Sequence, residues 1–361
     1  MTKVVLLSQF PLPYAHIGSW TTMYRNYLQS SHEIDTIICE SPVQRFENVR
    51  YQIVTQSPFL QWRKKISKNN HLGYIEAFAE IFRPDEHYIL QVVDNFGLAK
   101  ALQQYIEKKG IRKNCYLQFF YHGHVPSEPG YNNVFFEKTD EIVVLTHSAY
   151  EAFRNKFNVL PSRFSVLYNG IDTQKFHPIT AEAKSELKKK HGFEGKKIFM
   201  WCSQDRPKKG LHLMLDSWKI LHKMHPEAIL LVIGCEPKEP QSGVFYGGRI
   251  ANDLLPQYYQ MSDAYLFPTL CQEGFGMSLI EALHCGCYCI ASAMGGVPEV
   301  LQNGKLGQLI EKPHFVDEWI AAIENYLKHP QTFDISRDLY TAQQWNERMT
   351  ALIQSAKRHF D

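Results

Sequence analysis

The chain has 361 residues, 44% of them hydrophobic and 21% charged, with a formal net charge of +2. That length holds two domains with ordinary cores, and the composition excludes a disordered or fibrous chain. Such an even charge balance gives no electrostatic footprint for nucleic acid.

Val4 to Leu7 reads as a short, continuous, buried parallel strand. A loop with Pro11, Pro13 and Gly18 follows, and then a helix over Trp20 to Leu28. Further strands are expected at Thr36 to Cys39, Tyr88 to Val93, Tyr116 to Tyr121, Glu141 to Leu145 and Ser165 to Leu167, most of them separated by helical stretches. The pattern restarts with a strand at Lys197 to Trp201, a helix at Leu211 to Met224, and strands at Ile229 to Ile233, Asp263 to Phe267 and Tyr288 to Ala291. Such alternation predicts an α/β chain of two doubly wound, Rossmann-like domains with ligands at the carboxyl ends of the strands. The expected divisions are 1–168, 169–335 and a helical tail over 336–361. Two basic runs stand out: Arg63 to Lys68, beside Trp62, and Lys184 to Lys190, read as a solvated helix face.

No stretch approaches the roughly 20 apolar residues of a membrane span. The first apolar run is shorter than a secretory signal requires. Eight cysteines occur without a C-x-x-C pair, which suits a reducing compartment, so a cytoplasmic location is expected. Cys285, Cys287 and Cys289 alternate too tightly for a zinc site and read as small residues entering a buried strand.

The chemistry concentrates in Glu273-Gly274-Phe275-Gly276-Met277-Ser278-Leu279-Ile280-Glu281. A helix is expected to begin near Met277 and to end at Gly286 in a left-handed cap. The glycines allow close approach of a ligand, and the free amides of Met277, Ser278 and Leu279 suit a diphosphate. Glu281, a turn further in, is placed to accept hydrogen bonds from a ribose, as an acidic residue does in dinucleotide sites. Glu273, on the loop, would face the transferred group. Arg206 and Lys209 follow the Lys197 to Trp201 strand, where two cations would neutralise charge on a departing diphosphate.

These residues resemble the retaining glycosyltransferase family 4, of the GT-B fold. Glu273 and Glu281 match its E-x7-E signature. YNGIDTQKFHP, DLLPQYYQMSDAYLFPT and GCYCIASAMGGVPEVL resemble its flanking stretches. The resemblance implies two Rossmann-like domains facing a cleft, with the C-terminal helix packing back on the N-terminal domain. It implies retaining transfer of a hexose-type sugar from a nucleotide diphosphate sugar, UDP-linked by preference and GDP-linked next. The nucleotide sugar is a co-substrate, and no cofactor or metal is required. No D-x-D triad, the usual metal holder of other glycosyltransferases, occurs in the chain. The acceptor would be a glycan or a lipid-linked molecule in cell-surface polysaccharide or glycoconjugate assembly.

In the same resemblance Gly18 falls at a glycine-rich loop facing the diphosphate, with Ser19 at the place of a second glycine. His122, in FFYHGH, falls at the histidine beside the transferred sugar, and His124 is its rival. Many members carry an arginine where this chain has Ser203 and Gln204, so Arg206 is a candidate replacement. Arg249 and Ile250 would read the base through their backbone. Trp62 to Lys68 would give peripheral contact with anionic lipid at the inner membrane face. The alternatives are a non-catalytic nucleotide-sugar-binding relative and a sugar-nucleotide epimerase of the same fold. A dinucleotide oxidoreductase is disfavoured because no G-x-G-x-x-G follows a strand.

Overall fold

The computed structural model describes residues 1–14, 19–124, 133–333 and 335–361. The chain forms two compact units, one of residues 1–170 with 342–361 and a second of residues 171–341.

The first unit contains β1 (Thr2–Leu7), α1 (Ser19–Gln29), β2 (Thr36–Cys39), β3 (Arg50–Ile53), α2 (Pro58–Ser67), α3 (Leu72–Ile81), β4 (His87–Val93), α4 (Phe96–Lys109), β5 (Cys115–Tyr121), α5 (Asn133–Glu137), β6 (Glu141–Val144), α6 (His147–Lys156) and β7 (Arg163–Val166). Its seven strands are ordered β3-β2-β1-β4-β5-β6-β7, and every pairing is parallel. The central strands are buried along their length because helices cover both faces. β3 escaped the sequence reading. It is a half-exposed edge strand whose polar residues give no apolar run.

The second unit contains α7 (Ala181–Lys190), β8 (Lys197–Cys202), α8 (Leu211–Met224), β9 (Ala228–Ile233), β10 (Val244–Gly248), α9 (Leu255–Met261), β11 (Ala264–Phe267), α10 (Met277–His284), β12 (Tyr288–Ser292), α11 (Val297–Val300), β13 (Gln308–Ile310) and α12 (Val316–Lys328). Its order is β10-β9-β8-β11-β12-β13, again all parallel. In each sheet the winding reverses beside the first strand, between β1 and β4 and between β8 and β11. Loops leaving two such strands diverge to opposite faces and leave a crevice at their carboxyl ends.

The tail helix, α13 (Ala342–Lys357), packs on the first unit. Trp345, Met349, Ile353 and Ala356 form its buried face, at the spacing of one helical stripe. The Trp345 ring meets Tyr24 and Tyr27 edge-on, at 5.5 and 5.8 Å between centroids. Helix was expected from Arg337, but it starts five residues later. The Leu339 carbonyl is held by His284 at 2.8 Å, and Tyr340 takes φ 55°. Those contacts pin the segment before α13 to the second unit.

Lys184 and Lys188 are not simply solvated, contrary to the sequence expectation, since they lie 3.2 and 2.6 Å from the carboxylate of Asp263. Asp263 also accepts the Ile198 amide at 2.8 Å, which ties α7 to the start of β8. Cys285, Cys287 and Cys289 are buried at the entry to β12, and burial pushes the Cys287 thiol up to about 12. No His, Cys, Asp and Glu cluster able to hold a metal occurs among the described residues. Nor, among them, is any helix long and apolar enough to cross a membrane.

Trp345 fills the space between two tyrosines at 2% exposure. Trp345→Ala should destabilise the first unit by about 3–5 kcal/mol, measured as a lowered urea midpoint. A loss under about 1 kcal/mol would show that α13 is not part of that core.

Candidate active site

Lys209 and Glu273 come from the loops that leave β8 and β11, the two strands flanking the reversal in the second sheet. The Lys209 Nζ lies 2.6 Å from Glu273 Oε2, and each side chain keeps about a fifth to a quarter of its surface open (24% and 20%). The ammonium also sits over the Phe267 ring, 5.8 Å from its centroid. The Lys209 carbonyl accepts the Trp201 indole N–H at 3.1 Å, which fixes the backbone below the charge.

Glycines set this approach. Gly210 has φ +70°, and a Cβ there would lie 1.9 Å from the Pro268 carbonyl oxygen, so no other residue fits between the two loops. Gly295 has φ +65°, and its Cβ would lie 2.3 Å from the Glu273 carbonyl oxygen. The next amide, of Gly296, donates to that same carbonyl at 2.8 Å. The Gly-Gly turn after β12 therefore holds the Glu273 backbone.

α10 begins after Gly276, whose φ is 92°. The amides of Met277 and Ser278 open the helix, where no carbonyl one turn earlier exists to take them. The Leu279 amide was expected to be free as well. It is not, because it donates to the Gly276 carbonyl at 3.0 Å in a tightened first turn. Gly274, Phe275 and Gly276 are buried, and the Phe275 ring packs edge-on to Tyr340 at 5.3 Å, leaving only their backbone to meet a ligand. The helix ends as expected, with Gly286 at φ 86°.

Two buried tyrosines, unmarked in the sequence, hold this helix. The Tyr265 hydroxyl bridges the Cys202 carbonyl at 3.2 Å and the Ser278 hydroxyl at 2.8 Å. The Tyr259 hydroxyl donates to Glu281 Oε2 at 3.1 Å. Protein encloses the Glu281 carboxyl on most sides while part of the residue stays open. Burial pushes it up to about 7, against the opposing pull of the Tyr259 bond and the Lys175 charge.

Arg206 is exposed and makes no ion pair among the described residues, so the structure joins Lys209 and not Arg206 to Glu273. Ile250 lies just beyond β10, half-buried, beside an exposed Arg249 that reaches Glu236 at 3.5 Å. Gly234 stitches the carboxyl ends of three strands. Its amide donates to Gly248 at 2.8 Å, and a Cβ there would meet the Ser203 carbonyl at 2.4 Å.

In the first unit His122 follows β5. Its amide donates to Asp94 Oδ1 at 2.7 Å, and its ring Nδ1 lies 3.1 Å from Asp94 Oδ2. Asp94 follows β4, beside that sheet's reversal, with φ 51°. Burial raises its carboxyl, but the His122 ring and amide outweigh burial and leave it below the usual carboxylate range. His124 is buried, with Nε2 2.7 Å from the Ser148 hydroxyl. Sequence reasoning missed Asp94, although its place in VVDN at a strand end was a usable signal. Gly18 lies outside the described residues.

Comparison with known proteins bears on the fold and the enzyme class. Residues 183–345 match the family described as Glycosyl transferases group 1. N-acetyl-alpha-D-glucosaminyl L-malate synthase of Bacillus anthracis is 25% identical over 315 residues, 81% of this chain and 79% of that protein. A GDP-mannose-dependent monoacylated alpha-(1-6)-phosphatidylinositol monomannoside mannosyltransferase of Corynebacterium glutamicum is 24% identical over 98% of both chains. Several other curated relatives are matched over about half of their own length, such as spore coat protein SA of Bacillus subtilis at 51%. Among solved structures, Anabaena Alr3699/HepE in complex with UDP superposes with a TM-score of 0.72 at 15% identity, over 98% of this chain and 100% of that one. The chain is a glycosyltransferase of the GT-B fold.

Glu281 supplies a pH test. Its ordinary value is 4.5 and the folded one about 7, so the folded state binds the proton more tightly. Its contribution to stability is then full below about 4.5 and is lost as pH rises through about 7. Glu281→Gln keeps the shape without the titration. Relative to the parent it should gain stability between about pH 5 and pH 8, by at most about 3 kcal/mol, read from urea unfolding at both pH values. An unchanged difference would place the Glu281 carboxyl in water.

Proposed function

We propose that this chain moves a hexose, with retention of configuration, from a UDP-sugar or, second in preference, a GDP-sugar to a glycan or lipid-linked acceptor, without a metal ion. The observation that carries it is the Lys209–Glu273 ion pair, 2.6 Å long, standing between two strand ends at the sheet reversal. The relatives add support, one being named for GDP-mannose and a structural neighbour being solved with UDP.

Before the donor arrives, the two charges satisfy each other. Binding would separate their duties. The diphosphate takes the Lys209 ammonium and the free amides of Met277 and Ser278, and the sugar hydroxyls take Glu273 and the backbone of Gly274 to Gly276. Glu281 accepts the ribose hydroxyls. As the bond from C1 to the phosphate oxygen breaks, its electron pair goes to that oxygen, and the preorganised cation and amides stabilise the growing charge. The acceptor hydroxyl bonds to C1 from the same face and gives its proton to the departing phosphate. In the first unit we assign His122 to a sugar contact, on family resemblance, with Asp94 holding its ring. Arg206 we assign to solvent-side neutralisation of the diphosphate, and Ile250 to a backbone contact with the base.

Lys209→Met should lower kcat by about 10²–10³-fold and raise KM less, measured by nucleoside diphosphate release. The native protein should show a raised melting temperature with UDP- or GDP-sugars and not with ADP-sugars. Turnover should survive exhaustive chelation. Absence of any nucleotide-sugar shift would overturn the donor assignment, and loss of activity on chelation would overturn metal independence.

A further inference from the structure

We infer that the outer face of α2 docks on an anionic lipid bilayer. α3 is the helix that packs on the first sheet, with Tyr74, Ile75, Ala77 and Phe78 buried. α2 is an additional helix laid against α3, and Leu60 is its single buried residue. Gly73 makes room for that leucine, since a Cβ there would lie 3.0 Å from Leu60 Cδ2. The Ser57 hydroxyl accepts the Leu60 amide at 3.1 Å and Lys68 closes the helix at φ 51°, so α2 is capped at both ends.

Apart from Leu60 and the half-buried Arg63 and Lys64, the helix is exposed. Phe59, Trp62 and Ile66 are 65%, 58% and 63% exposed. They stand at i, i+3 and i+7, one side of a helix. Twelve large hydrophobics are exposed among the described residues, and three fall within these ten positions, which marks a patch rather than scatter. The Phe59 and Trp62 rings are stacked at 5.9 Å, and Arg63 lies over Phe59 at 5.6 Å. α2 itself contains no acid. Glu76 on α3 pairs with Arg63, while Lys64, Lys65 and Lys68 make no ion pair among the described residues.

Aromatic rings with lysines beside them match the interface of an anionic bilayer, rings entering below the headgroups and ammonium groups meeting the phosphates. A ten-residue helix is far too short to span, so it lies in the plane of the surface. α2 follows β3, leaving the sheet from the same carboxyl edge that carries Asp94 and His122. Docking there brings that edge to the lipid, which deepens the acceptor reading by favouring an acceptor anchored in the membrane. The surface itself stands apart from glycosyl transfer, and its test uses no donor.

The full chain should co-sediment with vesicles of phosphatidylcholine and phosphatidylglycerol, not with phosphatidylcholine alone, and binding should fall with added salt. Lys64→Gln, Lys65→Gln and Lys68→Gln should each weaken partitioning about fivefold. Phe59→Ser and Trp62→Ser should each weaken it about tenfold or more, with unchanged thermal unfolding because both side chains are exposed. Failure of the parent chain to bind the anionic vesicles would overturn the proposal. So would vesicle binding indifferent to the ring substitutions, or ring substitutions that only disperse an oligomer, which would make α2 a protein interface.

Discussion

An ammonium and a carboxylate 2.6 Å apart, both partly open to water, organise the second unit. The pair sits where parallel strands reverse their winding between β8 and β11, on the two loops that leave the carboxyl ends of those strands. Three glycines convert that topology into a fixed distance. Gly210 lets the Lys209 turn touch the Pro268 carbonyl, and Gly295 with Gly296 grips the backbone of Glu273. Partly exposed ion pairs contribute little to stability. This one is better understood as a preorganised arrangement whose two halves a diphosphate sugar can take over separately.

The same edge of the sheet carries a second carboxyl group in different surroundings. Glu273 stands beside a cation, whereas Glu281 accepts a bond from the buried Tyr259 and burial pushes it up to about 7. Seven residues of sequence lie between the two carboxyl groups, one on a loop and one a turn inside a helix. Burial disfavours the charged form of the second.

The first unit solves another problem in its interior. Gln91, Gln118 and Glu141 lie in one row across β4, β5 and β6, each fully buried. Gln91 donates to Gln118 at 2.9 Å and Gln118 donates to Glu141 at 2.8 Å. Tyr24 reaches one end of the row at 3.3 Å, and the Met349 sulfur of α13 lies 3.7 Å from Gln91. A polar row of this kind is tolerable only when its members satisfy one another. Its register also fixes the strand pairing, since a slip of one residue would strand every member against apolar neighbours.

Residue order alone already determined the class of this chain. Continuous apolar strands alternating with helices admit little but parallel α/β layers, and Gly-rich spacing around Glu273 and Glu281 marked a helix start fit for phosphate. Those features are local, set by residue type and period. Edge strands such as β3 and β13, too polar or too short to show a run, were not legible. Nor were contacts between residues far apart in sequence. That Lys209 and not Arg206 meets Glu273, that Asp94 holds His122, that Tyr259 and Tyr265 anchor α10, and that Leu279 spends its amide inside the helix all depend on where loops from separate strands converge. Packing decided these, because hydrogen bonds and ion pairs select among side chains only after the sheet has brought their backbones together.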